Sequence, residues 1–219
     1  MKPNPYLQKL GYAESDRLVI IHTDDIGMCH ASVQAFWDLW AFGTITSGAT
    51  MVPCPWFPAV AQMCRENPAI DMGVHATLNA EWESYRWGPV STRESGSGLM
   101  DGTGYFHQWH QAVYDHASPE EVEKEVNAQI ERALGAGIDA TQVDSHMGTI
   151  MNRRLVVDAE LSALVALLRG LASSSAFAAG DLAQFPAVAE RCRSARMGAD
   201  PQLGPRFAVR RDAEPATSP

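Results

Sequence analysis

The first 151 residues alternate short apolar runs with segments of helical period. Leu18-Val19-Ile20-Ile21 is unbroken in its apolar character, which predicts a strand over 18–22 covered on both faces. Val33, Phe36, Trp37 and Trp40 then recur at i, i+3, i+4 and i+7, predicting a helix from Ala31 to Phe42 that Gly43 stops. A second strand is expected over Gly48–Val52, closed by Pro53 and Pro55, which cannot donate to a sheet ladder. A short helix follows from Pro58 to Glu66, then a third strand over Ile70–Val74. Ser118-Pro119-Glu120-Glu121 is a helix start with a serine cap and a glutamate at its third position. That helix runs to about Leu134 and leads through Gly135 and Gly137 to a fourth strand at Gln142–Asp144. Such alternation argues for βαβ units on a parallel sheet.

Two stretches break the pattern. Residues 79–117 hold three of the six tryptophans, with Tyr85, Tyr105, Tyr114 and little periodicity, which reads as a functional loop region. Beyond Met151 histidine, tryptophan, tyrosine and lysine vanish while alanine and arginine rise. Leu155–Leu171 keeps a helical pattern, and 173–219 reads as a weakly structured Ala/Arg/Pro-rich tail. The expected organisation is thus a (βα) domain over 1–172 followed by that tail. Eight βα units need about 250 residues, so a chain of 219 suits a partial or distorted (βα) barrel.

Composition narrows the function classes. A net charge of −9 repels phosphate backbones, which argues against a nucleic-acid partner. No run approaches the ~18 apolar residues of a membrane span, and the N-terminus shows no signal-like stretch. Cys29, Cys54, Cys64 and Cys192 lack Cys-x-x-Cys spacing and are expected to be reduced and mostly buried. A cytoplasmic location follows from these features.

Polar clusters end three of the apolar runs: Asp24-Asp25, His75 after Met72-Gly73-Val74, and Asp144-Ser145-His146. Parallel α/β folds place chemistry at the carboxyl ends of their strands. A carboxylate and two imidazoles there form the ligand set of an open divalent-metal site, pointing to metal-assisted hydrolysis. Adjacent aspartates on a continuing strand would face opposite ways, so a turn assisted by Gly27 is expected to bring both to one pocket. One carboxylate could then bind the cation while the other takes a proton from water. Asp144 is expected to orient the His146 ring. His22, His30, His107, His110 and His116 have no joint support and read as helix-start, loop or surface groups, His107 alone being weighed also as a substrate contact. Two imidazoles and one carboxylate suit Zn²⁺, while Mg²⁺ prefers more oxygen ligands.

Ile21-His22-Thr23-Asp24-Asp25-Ile26-Gly27-Met28, Gly73-Val74-His75-Ala76-Thr77-Leu78 and Val143-Asp144-Ser145-His146-Met147-Gly148-Thr149 resemble the signature segments of the YdjC/ChbG-type carbohydrate deacetylases. Arg86-Trp87-Gly88-Pro89 and Gly104-Tyr105-Phe106-His107 resemble connecting segments of that family. The resemblance spans roughly residues 17–151. It implies a distorted (βα) barrel, one divalent metal ion, and removal of acetyl groups from N-acetylated sugars. By position it implies Asp25, His75 and His146 as metal ligands and Asp24 as general base. Trp82, Tyr85, Trp87 and Tyr105 are candidates to stack on sugar faces, with His107 a further substrate contact.

Two departures stand out. Gly148 occupies a place where many members have a histidine, and no histidine follows His146. The composition change after Met151 suits a frameshifted or truncated reading frame, leaving a sheet edge that oligomerisation could cover. The rival reading is therefore a homologue that binds metal or sugar without turnover. A receiver-like phosphoacceptor would need an acceptor aspartate where His75 stands, and a phosphoesterase would want basic residues at the strand ends.

Overall fold

The computed structural model describes Ala13 and residues 19–151. The helix expected over 155–171, the tail over 173–219 and Cys192 lie outside the described residues. Within them the order is β1 (His22–Ile26), α1 (His30–Phe42), β2 (Ser47–Thr50), α2 (Phe57–Glu66), β3 (Met72–Ala76), α3 (His110–His116), α4 (Pro119–Gly135) and β4 (Ala140–Ser145). Short 3₁₀ turns over His146–Met151 follow, kinked at Met147 and Gly148. The strands lie in the order β1-β2-β3-β4, each pair parallel. Among the described residues this is an α/β fold with an open four-stranded sheet, a partial barrel as expected.

Strand register sorts the side chains onto two faces. His22 pairs with Ser47, Ala49 with Gly73, and His75 with Asp144. Because side chains alternate along a strand, His22, Asp24, Ser47, Ala49, Gly73, His75, Gln142 and Asp144 share one face. Every member is polar or small. The opposite face presents Met72, Val74 and Ala76 to a core that includes Ile26, Phe36, Phe57, Val60, Val126 and Ile130. Two glycines let these layers close. A Cβ on Gly48 would meet the Phe36 ring at 2.7 Å, and one on Gly73 would meet the Gln142 carbonyl oxygen at 2.7 Å.

The helices follow their sequence signals closely. Gly43 ends α1 in a left-handed cap at φ 88°. Ser118 accepts from Glu121 N, and the Glu121 carboxylate accepts from Ser118 N, completing a capping box on α4. One feature of α4 lies outside the apolar pattern: Glu121, Glu125 and Gln129, four residues apart, form an inward polar stripe. Glu125, fully buried, accepts from the backbone N–H of Val90 and Ser91 and from Gln129 Nε2. Gln129 also pairs with both the N–H and the carbonyl of Thr77. Glu121 accepts from Ser97 Oγ and Gly98 N. Buried polar groups need such partners, and here they fasten the long segment after β3 onto the domain.

Two expectations are corrected. The first strand is His22–Ile26, and Val19, Ile20 and Ile21 are exposed, not covered on both faces. An apolar run is a poor guide there, because β1 is defined by pairing with β2 and turns its polar side chains toward the functional face. Within 79–117 the chain is mostly irregular, yet it contains α3, and Arg86 ties Asp101 (2.7 Å) and the Phe106 carbonyl together. Among the described residues no helix is long and apolar enough to cross a membrane.

Gly73→Ala is expected to destabilise the fold by about 1–3 kcal/mol, since the added methyl runs into backbone of the neighbouring strand. Urea unfolding of both proteins measures this; an unchanged midpoint would contradict the packing described.

Candidate active site

β1 does not simply end in a turn at the paired aspartates. The β1–β2 register shifts between Thr23 and Ile26, and Asp25 adopts φ 59° in the left-handed region. That conformation costs an L-residue energy and is tolerated best by glycine, asparagine and aspartate. This irregularity brings both carboxylates to one side, as the sequence demanded, by an internal bulge where a terminal turn was expected. Gly27 at φ 90° follows, with Thr50 Oγ1 and Val60 Cγ2 both 3.1 Å from where its Cβ would be.

Asp25, His75 and His146 converge from three strand ends. A ligand atom of each lies within 4.8 Å of the others. Asp25 Oδ1 sits 3.3 Å from His75 Nε2 and 3.0 Å from His146 Nδ1. Both imidazoles are buried and pack edge to face at 5.3 Å between centroids. Each ring turns its second nitrogen to an outer carboxylate: His75 Nδ1 to Asp144 Oδ1 at 2.5 Å, His146 Nε2 to Glu81 Oε2 at 3.1 Å. The His75–Asp144 contact is a direct product of register, since the two residues are partners across β3 and β4.

Electrostatics follow from this layout. Hydrogen bonds from His146 and His75 hold the Asp25 carboxyl well below the usual carboxylate range, against the opposing effect of burial. Burial disfavours charge on His75, but its bonds to Asp144 and Asp25 outweigh that and lift its pKa to about 9. Burial likewise opposes ionisation of Asp144, yet bonds from His22 and His75 bring it down to about 2. The pocket thus favours positive charge at its centre. Two nitrogens and one carboxylate oxygen facing each other, with outer carboxylates orienting the rings, are the donor chemistry of a divalent cation site, and these residues fit one.

A second group lies beside the first. His22 Nε2 is 3.1 Å from Asp144 Oδ2 and 3.2 Å from Asp24 Oδ1, while its Nδ1 is 3.0 Å from Ser47 Oγ. The bond to Asp144 raises the His22 pKa, against the smaller opposing effect of burial. The expectation that Asp144 orients His146 is therefore corrected: Asp144 serves His75 and His22, and Glu81 serves His146. Asp144 and His146 are two apart on the strand end, but the chain turns into 3₁₀ geometry at His146 and carries that ring away. His22, read as a surface group, belongs to the site. Strand alternation, which places residues 22 and 24 on one face, was the signal available for it. Glu81 comes from irregular chain, where no spacing rule points inward.

The aromatic candidates separate by exposure. Trp82 is 53% exposed and its indole N–H donates to Glu81 Oε1, beside the cluster. Tyr85 donates to the Met28 carbonyl and packs on Trp87. Trp87 is only 3% exposed, donates to the Asn79 carbonyl and backs the His146 ring at 6.4 Å. Tyr105 is 42% exposed with Arg86 over its ring. His107 is enclosed against Gly98 and stacks on His116. Cys54 and Cys64 are free and buried, and burial pushes the Cys64 thiol up to about 12.

The model of the family described as YdjC-like protein matches residues 18–197, a span that crosses the composition change at Met151. A carbohydrate deacetylase of Thermus thermophilus is 34% identical over 145 residues, covering 66% of this chain and 49% of that protein. Carbohydrate deacetylase 1 of Listeria innocua is 30% identical over 131 residues, covering 58% and 50%. The chain spans about half the length of the curated relatives it matches. Among solved structures, a protein of Enterococcus faecalis V583 described in connection with cellobiose-phosphate cleavage superposes with a TM-score of 0.58 at 27% identity, covering 80% of this chain and 64% of that one.

The raised His75 pKa has a measurable sign. With cations removed by chelator, its contribution to stability is complete below the ordinary value of 6.5 and is lost as pH rises through about 9. Unfolding free energy should therefore decline between those limits, by a few kcal/mol at most, and the decline should be smaller in His75→Gln, where only the raised His22 contributes in the same direction. Urea titrations at several pH values test this; a flat profile in the parent protein would refute the arrangement.

Proposed function

The chain belongs to the YdjC-like protein family, and from that premise we propose that it is a metal-dependent hydrolase removing acetyl groups from N-acetylated sugars or oligosaccharides. The observation that carries this reading is the convergence of Asp25, His75 and His146, remote in sequence, on one buried-walled pocket. The composition of that donor set favours Zn²⁺ over Mg²⁺.

In this reading Asp25, His75 and His146 hold the cation, which when bound supplies Lewis-acid polarisation of the acetamide carbonyl and acidifies water. Asp24 is the general base. Its carboxylate is half exposed, on the same sheet face as His75, and so can reach water and take its proton. Asp144 and Glu81 keep the two imidazoles in the tautomer and orientation that leave His75 Nε2 and His146 Nδ1 facing inward. Trp82, held by Glu81 next to His146, offers an apolar indole face to a sugar ring, with Tyr105 further along the same segment. Trp87 supports the His146 ring from behind, and His107 stabilises the loop that carries these aromatics.

The reading takes residues 1–172 as the (βα) unit and 173–219 as a tail. Free Cys29, Cys54 and Cys64 fit a reducing compartment, so we place the activity in the cytoplasm.

Asp24→Asn should lower turnover of N-acetylglucosamine or its β-linked disaccharide by about 100- to 10,000-fold while leaving Zn²⁺ affinity within a few fold. His75→Ala and His146→Ala should lose both. Acetate release measured beside calorimetric metal titration separates the two effects, and retained turnover in Asp24→Asn would rule out its role as base. Treatment with EDTA should abolish acetate release, and added Zn²⁺ or Mg²⁺ should restore it.

A further inference from the structure

The His22 ring joins two parts of the site that the chemistry above treats separately. Its Nε2 faces Asp24 Oδ1 at 3.2 Å and Asp144 Oδ2 at 3.1 Å. Ionised carboxylates only accept, so Nε2 carries the hydrogen; it donates to Asp144 and faces Asp24 as a close ion-pair contact. The other side of the ring is anchored in the sheet: Nδ1 is 3.0 Å from Ser47 Oγ and 3.1 Å from Gln142 Nε2, and Gln142 Nε2 donates to Ser47 Oγ at 2.7 Å. Ser47 is the register partner of His22 on β2. Gln142 reaches this position across Gly73, the residue whose missing side chain makes room for it. Three strands thus converge to fix one imidazole with its N–H on Asp144 and the Asp24 carboxylate beside it.

Those carboxylates have different tasks. Asp24 is the base, and the other oxygen of Asp144 holds His75 Nδ1 at 2.5 Å. We propose that His22 is a positioning residue that locks the Asp24 carboxylate to the Asp144–His75 pair, so that base and metal ligand keep one fixed relative geometry. The role of Asp24 here rests on the deacetylase reading; the link from His22 through Asp144 to His75 stands on geometry alone. Without His22, Asp24 is half exposed with no other side-chain partner among the described contacts, and rotates into solvent. Asp144 then loses one of its two restraints. Outer-shell partners of this kind are worth about 10- to 100-fold in metal affinity or activity.

The test is a set of double-mutant cycles on the full chain, reading acetate release from N-acetylglucosamine disaccharide and Zn²⁺ affinity by calorimetry. His22→Ala is expected to lower kcat about tenfold or more with KM within twofold, and to weaken Zn²⁺ binding several fold. His22→Asn and His22→Gln, which retain an N–H donor and guard against a misfolded alanine variant, should recover part of both losses. His22→Ala combined with Asp24→Asn should be no slower than Asp24→Asn alone, because both act through one group. In Zn²⁺ affinity, His22→Ala and Asp144→Asn should likewise be non-additive. Turnover in His22→Ala within twofold of the parent, or losses that multiply with Asp24→Asn, would overturn the proposal. If the parent releases no acetate, the deacetylase reading fails and the Zn²⁺ cycle decides: unchanged affinity in His22→Ala rejects the link, and a coupled loss upholds it.

Discussion

A single carboxylate oxygen, Asp25 Oδ1, lies between His75 Nε2 and His146 Nδ1, and the carboxylates around the pocket are arranged about that contact. Two buried imidazoles this close would repel if both were charged and would be costly if unpaired. The inner carboxylate and the outer pair, Asp144 and Glu81, resolve both problems at once. Negative charge surrounds the rings, which is the field a divalent cation needs and a lone proton partly satisfies.

That centre exists because the sheet has an unusual division of labour. One face of an ordinary parallel sheet in an α/β domain is as apolar as the other. Here the face bearing His22, Ser47, Gly73, His75, Gln142 and Asp144 carries polar and small side chains, while Met72 and Val74 and the helices supply the apolar core on the reverse. Stability and chemistry are thereby assigned to opposite sides of the same strands. The polar stripe of α4 extends the same logic to the segment after β3: Glu125 and Gln129 satisfy its backbone, so a long irregular connection carries Glu81 and Trp82 to the pocket without a strand to hold it.

How much of this was legible in the sequence depended on which physical signal each part uses. The parallel alternation, the serine-capped helix and the glycine stop after Phe42 are local and periodic, and they could be read directly. Asp25, His75 and His146 could be grouped because each follows an apolar run, and strand ends in such folds gather chemistry. Asp144 was legible as an orienting group but not as the partner of His75, because cross-strand register is set by the bulges in β1 and β4, which no single-residue preference announces. Glu81 was hidden for a different reason: the segment that carries it is held by buried hydrogen bonds from Glu125 and Gln129 of α4, far along the chain. The boundary of β1 was misplaced because apolarity, not pairing, was used to find it.

The left-handed backbone at Asp25 restricts what that position can become. Glycine and asparagine would sit comfortably in the conformation but surrender the charge; glutamate would keep the charge and strain the backbone, with its carboxylate displaced by a methylene. Only one member of the natural alphabet meets both demands. Any substitution at residue 25 therefore gives up either the inner charge or the ease of the backbone turn, a double constraint that no other position on this sheet face carries among the described residues.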